Sequence, residues 1–280
     1  MDDKRPDWNK VWKDAMDTQR KTNRNTECSS IWNSKESARR FWKMARENGA
    51  ERINNTIEGM ALTPQSRVLD IGAGPGTLAV PIARQVACVT AVELSECMVA
   101  VLRENLDEYG LVNVDCIHKD WEEVDAETDL SGPYDVVFAS YSLGMKDIKA
   151  SVRKMLDVCS GYVYLYWFAG ETSWDKDSRK LWPSLHGCEY SSGPKCDVLY
   201  NVLYEMGIYP NVETFPFEHI NRFEDLEEAL EHFGPHYGIE TEAQNKILKD
   251  YLTVVLEEEN GGLIHRGWST RVKVWWKTDS

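Results

Sequence analysis

Basic charge is scarce in this chain. Lysine and arginine number 32 against 46 acids, a net charge of -14. A nucleic-acid binder wants a basic face. The local patch Arg39-Arg40 with Lys43 and Arg46 is interleaved with Phe41 and Trp42 and reads as a solvated helix face. Nucleic acid is therefore not the expected partner. There is no apolar run long enough to cross a bilayer, and the start, Met1-Asp2-Asp3-Lys4, lacks a signal-peptide pattern. A cytoplasmic protein is the expectation. The seven cysteines are odd in number and several fall in apparent strands or helices, which fits reduced thiols rather than a disulfide framework. Metal ligands are also poorly arranged. His186-x-Cys188 with Cys196 lacks a clear fourth ligand. His232 and His236 flank Gly234-Pro235, which should break the helix that would align them. No metal is expected. Repeats and low-complexity tracts are missing too.

What is present starts at Val68-Leu69-Asp70-Ile71-Gly72-Ala73-Gly74-Pro75-Gly76-Thr77. A hydrophobic strand enters an acid, a glycine turn and the apolar helix start at Leu78. Such a strand delivers its turn to the carboxyl edge of a parallel sheet, where open α/β folds bind ligands. Glycines let backbone approach a ligand closely. A helix start offers free N–H groups to an anion. A nicotinamide or flavin site would want GxGxxG. Here Gly72 and Gly74 fit, but Thr77 takes the third position and Gly76 falls one residue early. Asp70 would repel a pyrophosphate and suits a ligand with a cationic end.

Cys88 to Ser95 reads as a second buried strand ending in Glu93. That acid lies about twenty residues past the first glycine, the spacing of a ribose-binding carboxylate. Two carboxylate oxygens can accept from vicinal hydroxyls. Ser95 can cap the following helix, with Gly110 stopping it. Met98, on that helix's first turn, suits either an adenine face or the core. Val114 to Trp121 reads as the third strand and its exit, Tyr134 to Leu143 as the fourth strand, and Gly161 to Phe168 as a fifth.

The strand, acid and glycine spacing resembles motif I of the class I S-adenosylmethionine (SAM)-dependent methyltransferases, most nearly the small-molecule, UbiE-like type. The resemblance covers residues 66 to 170 well and the rest in outline. It implies an α/β fold with a Rossmann-like, seven-stranded, mostly parallel sheet, its last strand antiparallel, helices on both faces, and a helical, aromatic lid. It implies SAM as cofactor, with Asp70, Gly72, Ala73, Gly74, Gly76, Thr77, Glu93, Leu94 and Met98 around it. Asp120 would meet the adenine amino group, with Trp121 beside the ring. Ser140 would close the fourth strand on the cofactor side. N-terminal helices of related enzymes fold over the methionine end, which makes Trp32 a candidate wall. The fourth strand ends in Ala139-Ser140-Tyr141-Ser142, not the Pro-Pro tetrad of amino methyltransferases acting on adenine, cytosine or glutamine. No Pro-Cys or Thr-Cys dipeptide marks a C5-cytosine enzyme.

Residues 1–62 are expected to form a helical cap, with Ser34 a partial N-cap and Gly49 a break. Residues 63–168 form the SAM-binding core. Residues 169–196 form a loop-rich lid insertion. Residues 197–280 complete the core, with a sixth strand at Asn211 to Phe217 and a last strand at Thr270 to Lys277. Between these strands, 218–262 inserts helices at Glu224 to Phe233 and Glu242 to Glu259. Both insertions leave from the cofactor edge, so a closed, water-poor pocket for a small or medium-sized acceptor is the natural reading. The alternatives are a protein-modifying methyltransferase and a non-catalytic SAM-binding protein. Tyr141 is the first candidate to contact the acceptor, with His186 and Glu171 as candidates from the lid.

Overall fold

A computed structural model of the chain describes residues 6–22 and 34–278, the side chains of 47–51 excepted. Its centre is set by runs of apolar residues. Strand β1 (Arg67–Ile71) buries Val68, Leu69 and Ile71 together, as a strand covered on both faces must. It pairs in parallel with β2 (Cys88–Glu93) and β4 (Tyr134–Ser140). Outside these lie β3 (Val114–His118) and β5 (Cys159–Phe168), also parallel. The sheet then turns antiparallel. Strand β8 (Gly262–Lys277) inserts between β5 and β6 (Asn211–Phe223), giving the order β3-β2-β1-β4-β5-β8-β6. As the resemblance implies, the sheet is mostly parallel with its last strand antiparallel, and a further short strand paired to that last one makes eight strands rather than seven. Pro216 lacks an N–H and is accommodated because β6 is the edge.

Helices cover both faces. On one, α1 (Trp8–Thr22), α5 (Ile148–Val158) and α7 (Cys196–Glu205) pack around Trp12, Val152, Met155 and Leu199. Trp12 is fully buried and donates its indole N–H to the Met145 carbonyl at 2.9 Å. On the other, α2 (Lys35–Glu58), α3 (Ala79–Ala83) and α4 (Glu96–Glu108) bury Ile53, Ile57, Ile82 and Leu102. Ser34 caps α2 by accepting from the Ser37 N–H at 3.1 Å. Gly49 does not break this helix. A mid-helix glycine costs about 1 kcal/mol, and the buried Ala45, Ile53 and Ile57 on either side outweigh it.

Three corrections concern what lies beyond the sheet. The segment expected to be loop-rich contains α6 (Ser173–His186), started by a Thr172–Asp175 capping box and stopped by Gly187 in the left-handed region. Helix α8 (Leu226–His236) runs through Gly234-Pro235, bringing the His232 and His236 rings to 5.2 Å. Finally, α9 (Glu242–Val255) ends early and residues Glu257–Glu259 form a short strand, β7, hairpinned onto β8. The hairpin turn is Asn260-Gly261, both at positive φ. Asn-Gly between strand residues is the strongest short hairpin signal, and it overrides helical periodicity. As a result β6 and β8 continue past the sheet as a ribbon. Helices α6, α8 and α9 share a separate core on that ribbon, around Trp182, Phe223, Phe233 and Leu252.

Candidate functional site

The strand ends meet at a cavity of about 1420 Å³. Small-molecule pockets run to roughly 1,000 Å³, so this one has room for two ligands side by side. One end is built from backbone. The Gly72 and Ala73 N–H groups both donate to the Val92 carbonyl, at 2.8 and 3.1 Å. Gly72 sits at φ +75°, and a Cβ there would come within 2.3 Å of Ser142 Cβ. Gly74, at φ +55°, has nothing within 4 Å of where its Cβ would be. The turn therefore presents open space rather than protein.

Acids face that space. Glu93 accepts from the Gly74 N–H at 2.9 Å and the Ser95 N–H at 2.8 Å, which fixes both its oxygens. Burial raises its pKa, opposed by those hydrogen bonds. Asp70 is 2 % exposed, and its Oδ2 has no partner. Burial, and next the Glu93 charge, hold its pKa well above the usual carboxylate range. The Thr77 hydroxyl is also buried without a partner. Asp120 caps a short 3-10 turn by accepting from the Glu122 N–H at 2.9 Å. Beside it Trp121 is buried, its indole N–H directed at the Ser151 carbonyl. Ala73, Leu94, Met98 and Ser140 complete this end. Gly76 serves differently: it does not line the cavity, and a Cβ there would strike Leu102 and Val80, so it admits the helix behind the turn.

The other end is built from side chains. Tyr141 leaves β4 at φ +58°, a region costly for a bulky residue. Its N–H donates to the Tyr166 carbonyl at 3.1 Å. Rings then follow one another: Tyr141 to Phe168 at 5.2 Å, Phe168 to Trp174 at 5.3 Å, Trp174 to His219 at 5.7 Å, His219 to Phe217 at 6.3 Å. Arg271 closes the circuit, 3.5 Å from the Phe217 ring centre and 4.6 Å from that of Tyr141. Burial raises the Tyr141 pKa, with Arg271 and Arg52 opposing. Burial lowers that of His219, and the Arg271 charge adds to the effect.

Two expected site residues are elsewhere. His186 ends α6 with Nε2 2.9 Å from the Tyr237 carbonyl, packed on Trp182 and away from the cavity. Glu171 is exposed and paired with Arg179 at 2.9 Å. Neither lines the cavity, because α6 forms where a loop was expected and turns both outward. Trp32 lies outside the described residues. Sequence reading missed Arg52, Trp174, His219 and Arg271. Phe217 and His219 share a face by strand alternation, but the expected sixth strand stops at Phe217 whereas β6 continues to Phe223.

Residues 68–160 match a family model described as a methyltransferase domain. An uncharacterized protein of Haemophilus influenzae is 27 % identical over 224 residues, 80 % of each chain. A ribosomal RNA small subunit methyltransferase A of Thermotoga petrophila is 43 % identical over 58 residues, 21 % of this chain and 22 % of that protein. Among solved structures, a candidate methyltransferase of Bacillus halodurans superposes with a TM-score of 0.56 at 16 % identity, covering 81 % of this chain and 99 % of that one. No described helix is long and apolar enough to cross a membrane. Residues 68–160 thus carry a methyltransferase domain, set in a Rossmann-like sheet of the order and with the glycine turn described above.

Proposed function

We propose that the protein transfers a methyl group from SAM to a small or medium-sized acceptor held beside Tyr141. The observation that carries this reading is one continuous cavity that runs from the glycine turn to the aromatic circuit. The cofactor end has the groups that SAM would need. The partnerless Oδ2 of Asp70 suits an ammonium, whose charge would restore the carboxylate to its ionised form. Glu93, already held by two backbone N–H groups, retains lone pairs for ribose hydroxyls. Asp120 would take the adenine amino group, with Met98, Leu94 and Trp121 against the ring. The open face of Gly74 leaves room for the cofactor's backbone-hugging path.

When bound, SAM supplies an already activated methyl group. The protein's task is then to align two reactants and exclude water. Tyr141 keeps its proton, since burial holds its pKa up, and so orients an acceptor by donating a hydrogen bond. His219 faces the same space as a neutral imidazole and can accept a proton from a nitrogen or oxygen acceptor. The residues that cover the acceptor end, from α6 and the β6–β8 ribbon, act as its lid.

The test is labelled SAM incubated with the protein and a cell lysate, then separated by size. Label in the small-molecule fraction is expected. Label confined to protein or RNA would overturn the small-acceptor reading.

A further inference from the structure

The cavity's acceptor end carries two guanidinium groups that the methyl-transfer reading does not use. Arg52 on α2 and Arg271 on β8 both line it, and lie 6.0 and 4.6 Å from the Tyr141 ring centre. Burial is the first cause lowering the pKa of each, and Arg52 further lowers that of Arg271. So the two positive charges repel one another in a partly desolvated space. No carboxylate of a described residue forms an ion pair with either. Their neighbours are the Tyr141 phenol, the Phe217 face and the Ser269 hydroxyl, 3.4 Å from Arg271 Nε. Among the described residues, arginines in ion pairs with acids lie at the surface, such as Arg39 with Glu104 and Arg266 with Glu259.

Holding two half-buried cations together without an anion is unfavourable, and a bound anion would offset that cost. Guanidinium forks match carboxylate and phosphate oxygens in pairs. The acids that line the cavity sit elsewhere: Asp70, Glu93, Asp120 and Glu122 at the cofactor end, Glu218, Glu228 and Glu231 exposed on the cover. We infer that Arg52 and Arg271 form an anion subsite at Tyr141, and that the methyl acceptor carries a carboxylate or phosphate bound there. This rests on the methyl-transfer reading. A second source of the same chemistry is the cofactor's own carboxylate. Arg271 favours the acceptor, because it is seated on Phe217 of the β6–β8 ribbon and within the aromatic circuit.

Calorimetry on protein saturated with S-adenosylhomocysteine (SAH) separates the two sources. The probes are matched pairs, benzoate with benzamide and phenyl phosphate with phenol, plus benzylamine. At least one anion is expected to bind about tenfold or more tighter than its neutral partner. Arg52→Gln and Arg271→Gln should abolish that preference while SAH affinity, which also reports folding, stays within about threefold. Arg271→Lys should keep part of it. Equal binding within pairs, preference for benzylamine, or no anion binding up to about 10 mM would overturn the inference. So would loss of SAH binding in both glutamine variants without anion preference in the loaded parent, which would assign the guanidiniums to the cofactor. A parent that fails to bind SAH overturns the methyl-transfer reading itself; SAH binding without anion preference overturns this inference alone.

Discussion

The two ends of the cavity are made by different means. At the cofactor end, position comes from main chain. Gly72, Gly74 and Ser95 aim or hold groups through their own N–H atoms, and the acids stand at the tips of adjacent parallel strands. At the acceptor end, position comes from side chains packed on one another, drawn from α2, β4, β5, α6, β6 and β8. A backbone-built site tolerates little change in its few key residues. A side-chain-built site can be refilled by substitution without disturbing the sheet. On the proposed reading, that division would let the acceptor end change while the cofactor end stays fixed, and the following variants probe it from the largest effect downward.

Asp70→Asn should weaken SAM binding about 100-fold, roughly 2.7 kcal/mol, since an amide offers no charge to an ammonium. The same change should raise the melting temperature of the unliganded protein, because the buried carboxyl with a free Oδ2 is a burden when nothing pairs it. Calorimetry and a thermal scan read the two effects. Unchanged SAM affinity would remove Asp70 from the cofactor end and leave that end without an anionic partner for the ammonium.

Gly72→Ala should cost about 2 kcal/mol of stability by denaturant titration, from positive φ and the 2.3 Å approach to Ser142 Cβ. Adding Ser142→Gly should recover about half, because it removes the clash and not the strain. Full recovery would mean that φ carries no cost here. No loss at all would mean the turn yields, contrary to a backbone-built end.

The same contrast explains what could be read from sequence. Asp70, the glycines and Glu93 were legible because each stands at the end of a short apolar strand, and local pattern places strand ends. The arrangement of the sheet came with the resemblance and not from local pattern. Arg52, His219 and Arg271 were not legible, because nothing local marks them. They meet only once β6 and β8 register over their full lengths, Asn211 opposite Trp275 through Phe223 opposite Leu263. Helix α6 was hidden by Pro183 and the glycines after it, though Thr172-x-x-Asp175 was a readable start. The Gly234-Pro235 pair misled in the opposite sense. It lies in the last turn of α8, where a helix already buried through Leu230 and Phe233 can absorb it.

Acid should act on the cover before the cofactor end. Burial first, then the charges of His236, Arg40 and His265, push the pKa of His232 down from 6.5 to about 4. At pH 7 this imidazole is neutral both folded and unfolded. As pH falls below 6.5 the unfolded chain takes up the proton first, so stability drops until about pH 4, where the folded side chain also protonates. His232 is partly exposed, so we expect about 1.5 kcal/mol across that window rather than the full shift. His232→Gln should flatten this part of the pH–stability profile. Hydrogen exchange should place the loss in α8 and the ribbon, with β1 and β4 unaffected. Uniform loss across the sheet would mean the two ends unfold as one unit.

The smallest effect is expected at His186, and it is the sharpest test of where the cavity ends. Its Nε2 meets the Tyr237 carbonyl, its ring packs on Trp182 at 4.3 Å, and its Nδ1 is buried without a partner. Those are the contacts of a residue tying α6 to α8, within the separate core on the ribbon. His186→Leu should therefore cost about 1 kcal/mol, one neutral hydrogen bond's worth, seen as a lower denaturation midpoint. Methyl transfer at saturating SAM should be unchanged once folded protein is matched. A fall in transfer without a fall in stability would carry the acceptor end outward through α6, and the helix would then belong to the site rather than to its support.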